Sequence, residues 1–352
     1  MTREELQNLI EDGDPVRKVS LAGADLSAST LLGGTFEAVD FTGADLRGAT
    51  LEQTNFVKCN LQGVRMEDAN LEGASVIECD LSGARLDAVR AARARFIKGQ
   101  LVDASFARAE LPLATMVECD LTRARFSAVA FDRASVVDCA TAGIDISGTT
   151  WNRGILLNAD LRAAKLDGAR FFRSTLIGAN FAGRALPGIN LATCLLNDAD
   201  FSACDLTSAD FTQCMLAGAR LGGTRLNDAL LARAVLSKAS LAGANLSGAD
   251  LAQAILTDAD AAGAVFVRAN LLQAIATRLN AADARFAGAD LTYADFSHAI
   301  LDRADLAGAT LNRTNFHGVS VAETRIPLTA GILATDTDRL ISETWHHRPL
   351  PW

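Results

Sequence analysis

The 352-residue chain has no run of about 20 apolar residues, so it offers no candidate membrane-spanning helix. Its start, Met1-Thr2-Arg3-Glu4-Glu5, has no charged-then-apolar secretory pattern, and a cytoplasmic location is the expectation. Basic excess is missing too. Lys and Arg number 33 against 42 Asp and Glu, for a net charge of −9. That argues against direct binding of nucleic acid, which calls for a basic face. Histidine is scarce, and all four lie late: His298, His317, His346 and His347. None stands with a Ser, Cys or carboxylate at a spacing that suggests a catalytic triad. The adjacent His346-His347 pair is a poor metal-ligand motif. No glycine-rich phosphate loop is present. No catalytic, cofactor-binding or metal-binding residue is therefore assigned, no cofactor is expected, and the chain reads as a non-enzyme.

Insertions and deletions are also lacking. From Val16 to Ile326, every fifth residue gives 63 positions, and 58 of them carry Leu, Phe, Ile, Val, Met or Trp. The exceptions are Ala91, Thr141, Ala261, Ala276 and Ala281. The position two residues before a centre is mostly Ala, as in Ala24-Asp25-Leu26 and Ala304-Asp305-Leu306. A period of five fits neither a 3.6-residue helix nor plain strand alternation. It fits a solenoid in which each unit forms one side of a coil. If the centre and the residue two before it point inward, the residue between them points outward. The two residues after the centre then make a corner.

Seven cysteines suggest metal or disulfide chemistry until their register is read. Cys59, Cys79, Cys119, Cys139, Cys194, Cys204 and Cys214 all occupy the small inward place, where cysteine acts as a small hydrophobe. Phe131, Trp151 and Phe171 recur at 20 residues and form an expected aromatic stack. Arg184 falls at a nominally inward place, where an enclosed guanidinium would be costly.

Units such as Ala209-Asp210-Phe211-Thr212-Gln213 and Ala289-Asp290-Leu291-Thr292-Tyr293 follow an Ala-(Asp/Asn)-Leu-X-X pattern. By that pattern, residues 16–328 resemble the pentapeptide-repeat proteins. The resemblance implies an all-β fold: a right-handed, four-sided parallel β-helix with 20 residues per coil and about fifteen coils. Short helical caps are expected at the ends. Residues 1–15 read as an N-terminal capping helix, with Thr2 and Glu5 as a capping box and Leu6, Leu9 and Ile10 as its apolar stripe. Residues 329–352 read as a C-terminal cap or tail with a helix near 336–345, for which Leu340, Ile341 and Trp345 are the expected contacts.

A filled coil leaves its exterior for binding. One outward column reads Ile155, Thr175, Leu195, Met215, Val235, Ile255 and Ile275, then turns polar at Asp295 and Asn315. Contiguous exposed apolar surface often marks a partner site. Ile155, Leu195, Met215, Val235, Ile255 and Ile275, with Trp345 and Trp352 of the tail, are the candidate partner-binding residues. The expected function is a non-catalytic interaction scaffold that binds a protein partner or pairs as a homodimer, with no membrane contact. A second column, from Asp40 through Asn60, Asp80, Gln100 and Asp120 to Asp160, alternates acidic and neutral residues. Some members of the resembled family imitate DNA with an acidic surface and bind type II topoisomerases, which supplies the alternative reading. A cluster of Arg85, Arg90, Arg93, Arg95, Lys98 and Arg108 interrupts any such likeness. The helix-then-repeat layout also resembles repeat regions linked to bacterial type VI secretion, which gives a third reading as an adaptor.

Overall fold

The computed structural model describes residues 3–327 and 331–344. It divides into two compact units, Met1–Phe181 and Ala182–Trp352. In both, the chain pairs in parallel with itself at a step of 20 residues, once every five residues.

The first unit carries an eight-stranded parallel sheet, from Val16–Arg17 through Asn55–Val57 and Arg95–Ile97 to Ile155–Leu157. Centres sit over centres in its register, as in Phe36↔Phe56 and Met116↔Val136. A three-stranded sheet joins Ala130–Asp132, Thr150–Asn152 and Arg170–Phe172. The expectation of about fifteen coils is revised here: extended strands stack over eight turns in the longest sheet, not fifteen. Five successive rungs of that sheet carry Val57, Ile77, Ile97, Val117 and Val137 after the centre, side chains that suit extended backbone. The same column continues as Asn197, Ala217, Ser237, Thr257 and Thr277 in the second unit. There the corner is a turn and pairing proceeds by single-residue bridges, such as Asp205↔Arg225 and Leu195↔Met215.

One five-residue unit accounts for all its backbone donors. Phe41 N–H donates to the Asn60 carbonyl at 2.7 Å, Gly43 N–H to Gln62 at 2.9 Å, and Asp45 N–H to Ala24 at 2.9 Å, all on neighbouring coils. Ala44 N–H closes the turn onto the Phe41 carbonyl at 2.9 Å. The fifth donor, Thr42 N–H, is met by the Asp40 carboxylate at 3.0 Å. The second unit repeats the scheme at Phe211, Gln213, Cys214 and Met215, with Asp210 Oδ1 accepting from Thr212 N–H at 2.9 Å. The outward Asp or Asn is therefore a turn residue that supplies the acceptor the backbone lacks.

The second corner residue has positive φ in nearly every unit, including non-glycines such as Lys58 (53°), Arg123 (56°) and Gln213 (58°). That conformation costs about 1–2 kcal/mol for a residue with a Cβ. It is offset because this residue's amide bonds the next coil, as Arg123 N–H does to the Ala142 carbonyl at 2.9 Å.

The interior is the stack of centres. The seven cysteines are free and buried, as their register implies. Phe131 and Trp151 stack at 3.9 Å, and Trp151 and Phe171 at 6.1 Å. Trp151 Nε1 donates to Thr149 Oγ1 at 3.1 Å, so its one polar atom is satisfied. Gly154 makes room for the indole: a Cβ there would lie 2.8 Å from Trp151 Cε3. Leu279, two before the small centre Ala281, is fully buried, as is Val89 before Ala91, so large and small residues exchange places within a cassette. Arg184 is half-buried rather than enclosed.

The first helix, α1 (Arg3–Glu11), buries Leu6 and half-buries Leu9 and Ile10. Gly13, at φ 77°, ends it, with its N–H on the Ile10 carbonyl and Asp14 N–H on Leu9. Thr2 lies outside the described residues. In the second unit, Gly331 and Leu333 pair with the last coil: Arg313 N–H donates to Gly331 at 2.7 Å and Phe316 N–H to Leu333 at 2.9 Å. The second helix, α2 (Thr337–Thr344), is capped by Asp336, whose carboxylate accepts from Arg339 N–H at 3.0 Å. One expectation fails here. Ile341 is 65% exposed, because α2 meets the coil through Glu343 instead.

Asp80 accepts from Ser82 N–H at 2.9 Å in the same turn arrangement. Asp80→Ala should lower unfolding stability by about 1 kcal/mol, the usual worth of such a local acceptor. Asp80→Asn, which keeps the acceptor, should cost much less. Urea denaturation of both variants checks this, and equal losses would contradict it.

Candidate functional site

The apolar column is present in the second unit as a paired ladder. Single-residue bridges join Leu195 to Met215, Met215 to Val235, Val235 to Ile255 and Ile255 to Ile275. Leu195, Met215 and Ile275 are 39%, 36% and 42% exposed, and Val235 and Ile255 are half-buried. Four intervals of about 4.8 Å give a strip about 19 Å long. Ile155 belongs to the first unit, where it is half-buried at the start of strand Ile155–Leu157 and pairs with Ser135 and Thr175. Trp345 and Trp352 lie outside the described residues.

The ladder has a local cost. At five successive rungs it places an apolar side chain where 24 of the chain's 63 units place Asp or Asn. Nearby groups are mostly uncharged: Gln253 donates to Gln273 at 2.8 Å on one side, and Thr257 meets Thr277 at 3.0 Å on the other. Arg233 joins the glutamine row through Gln253 at 2.8 Å.

The acidic column of the first unit is committed elsewhere. Asp40, Asp80, Asp120 and Asp160 each accept from the backbone N–H two residues on. Asp160 also binds Arg162. The basic cluster is likewise paired across coils, Arg85 with Glu67, Arg93 with Glu72 and Lys98 with Glu118. In the second unit, Arg225–Asp205, Arg278–Asp258 and Arg303–Asp283 repeat the step-of-20 pairing. The surface is thus finely mixed in sign.

Cys204 and Cys214 are poor candidates for chemistry, because burial raises both thiols. Burial pushes Cys214 up to about 12, so it stays protonated at neutral pH.

One polar cluster escaped the sequence reading. His298 Nε2 and His317 Nε2 lie 3.2 and 3.1 Å from the same oxygen, Glu343 Oε2. Their rings stand edge to face at 5.2 Å. His317 is buried and His298 partly exposed. Arg339 holds the other oxygen, Oε1, at 2.7 Å. That bond, with the His317 contact, keeps the Glu343 carboxyl below its ordinary range. The two histidines are 19 residues apart in a 20-residue repeat, which places them on adjacent coils, with His298 N–H on the His317 carbonyl at 2.8 Å. That spacing was readable. The approach of Glu343 from a helix beyond the repeat was not.

Parallel coils, a five-residue period and a small inward residue before each centre define a parallel β-solenoid. A family model for pentapeptide repeats matches residues 20–87, 99–135 and 155–318. The chain belongs to the pentapeptide repeat family. It is similar to HetL, a pentapeptide repeat protein involved in heterocyst differentiation regulation in the cyanobacterium Nostoc, at 20% identity over 94% of each chain and a TM-score of 0.16. It is also similar to QnrB1, a plasmid-mediated fluoroquinolone resistance protein, at 20% identity over 66% of this chain and 91% of that one, with a TM-score of 0.26. A pentapeptide repeat protein of the Arabidopsis thaliana thylakoid lumen matches at 28% identity over 32% of this chain and 67% of its own, with a TM-score of 0.15. No curated protein matches. Among the described residues, no helix is long and apolar enough to cross a membrane.

The turn carboxylates predict an acid limit. Hydroxyl and backbone donors of Thr42 and Thr207 lower Asp40 and Asp205, and Arg47 lowers Asp45 to about 2. Each folded-state value lies below the unfolded one of about 3.9. Their stabilisation is therefore complete above about pH 4 and is lost as pH falls from about 4 toward about 2. Melting temperature followed from pH 7 to pH 2.5 should drop steeply below about pH 4, and a flat profile would contradict the assignment.

Proposed function

We propose that this protein is a non-catalytic interaction scaffold and that the ladder Leu195–Met215–Val235–Ile255–Ile275 docks a second copy of the same chain. The observation that carries the reading is the ladder's place in the turn scheme. Five rungs in succession carry apolar side chains in place of a turn acceptor such as Asp200, Asp210 or Asp260, and Leu195, Met215 and Ile275 are well exposed. The ladder is also close to self-complementary about Val235. A two-fold axis there would set Leu195 against Ile275 and Met215 against Ile255, which suits an isologous interface. The rows next to it, Gln253–Gln273 and Thr257–Thr277, are uncharged, while Lys238, Asp258 and Arg278 stand one residue further out.

Size decides the strength. A single row of five side chains, about 19 Å long, offers much less surface than the roughly 1,200 Å² or more that stable interfaces bury. The pairing is accordingly weak and reversible, and a cytoplasmic scaffold could release one partner for another. A DNA-mimicking regulator of a type II topoisomerase is supported less well. The acidic column spends its carboxylates on its own turns, and the basic residues among it are paired across coils.

Sedimentation equilibrium tests the proposal. The native chain should show concentration-dependent dimer formation. The triple variant Leu195→Lys, Val235→Lys, Ile255→Lys should remain monomeric at the same concentrations with an unchanged circular dichroism spectrum. A native chain that stays monomeric up to about millimolar concentration, the weak end of specific association, would overturn it, as would a triple variant that dimerises equally well.

A further inference from the structure

Independently of the ladder, the end of the second unit carries a set of side chains that neither the repeat nor the proposed docking uses. His298, His317 and Glu343 converge from two adjacent coils and from α2, with three potential ligand atoms within 4.8 Å of one another. We propose that these three residues form a binding site for a divalent transition-metal ion of the zinc type, which clamps α2 to the last coils.

The chemistry of the donor set fits. Two imidazole nitrogens and one carboxylate oxygen are a common zinc ligand set, with bonds of about 2.0–2.2 Å. Donors around such an ion stand about 3.3 Å apart in a tetrahedron. Glu343 Oε2 already lies 3.1 Å from His317 Nε2 and 3.2 Å from His298 Nε2. Two neutral rings and one carboxylate carry a single negative charge, which a divalent ion converts to a single positive one. His298 is 37% exposed, so water can reach a fourth position.

The surroundings hold the ligands in place. Arg339 anchors Glu343 through Oε1 and leaves Oε2 turned toward the rings, the outer contact that orients a ligating carboxylate. His317 is 3% exposed and its ring has little freedom. The Asp336 N–H donates to His317 Nδ1 at 3.2 Å, which places that ring's proton on Nε2, facing Glu343. A metal ion at Nε2 takes the place of that proton, which moves to Nδ1, so metal binding costs the Asp336 N–H contact. One long neutral hydrogen bond is exchanged for bonds to the metal, and no proton is released from the ring.

Zinc chloride titrated into the untagged full-length chain, read by isothermal calorimetry, tests the site. The tail pair His346-His347 is a competing ligand set, so the double variant His346→Ala, His347→Ala is the reference. That reference should bind one zinc ion per chain. His298→Ala and Glu343→Gln made in it should each bind at least about tenfold more weakly. Both changes are at partly exposed side chains, and melting curves without metal confirm that each variant folds. Cobalt(II) in place of zinc should give the visible absorption of a tetrahedral site. The proposal is overturned if zinc binding disappears with the tail histidines alone. It is equally overturned if His298→Ala and Glu343→Gln bind as tightly as the reference.

Discussion

Each five-residue unit has five backbone donors but only four backbone acceptors placed to receive them in a turn-type corner. Everything else in the fold answers to that shortfall. At Phe41–Asp45 the missing acceptor is the Asp40 carboxylate, and at Phe211–Met215 it is that of Asp210. An orphaned amide costs free energy wherever water cannot reach it well, and the unit recurs on every side of every coil. Asp or Asn stands just before the centre at 24 of the 63 units, and in a turn-type corner it serves backbone chemistry. The large centre supplies apolar burial, and the small residue two before it keeps the coil narrow enough for neighbouring coils to pair.

Much of this could be read in the residues. Register alone placed Leu21, Phe36, Trp151 and Leu291 inside, and explained why the seven cysteines are buried and free. The stacking of Phe131 on Trp151 followed from a 20-residue spacing. The role of the outward carboxylates was not legible, because solvation explains a polar outward residue equally well. The left-handed corners were hidden for another reason. Lys58, Arg123 and Gln213 give no sign of positive φ, which is imposed by the hydrogen bond to the next coil. The eight-turn extent of true strand was not legible either, because β-branched Ile177, Thr257 and Thr277 of the same column stand in turns while Arg17, Glu37 and Leu157 stand in strands.

The two proposed binding sites lie where the scheme is broken. The ladder from Leu195 to Ile275 abandons the turn acceptor and exposes apolar surface. The sequence revealed its existence, but its length on one compact unit needed the structure, since Ile155 belongs to the other. His298, His317 and Glu343 lie where the repeat gives way to α2, at a point no periodic argument reaches. The two departures differ in chemistry, one apolar and open, the other polar and half enclosed.

The melting temperature of Val235→Asp, set beside that of Val235→Ala in dilute solution, tests the backbone scheme most directly. If the outward position exists to supply an acceptor, aspartate at this rung completes the turn with the Ser237 N–H, and that variant melts higher than the alanine one. A lower melting temperature for the aspartate variant would contradict the account.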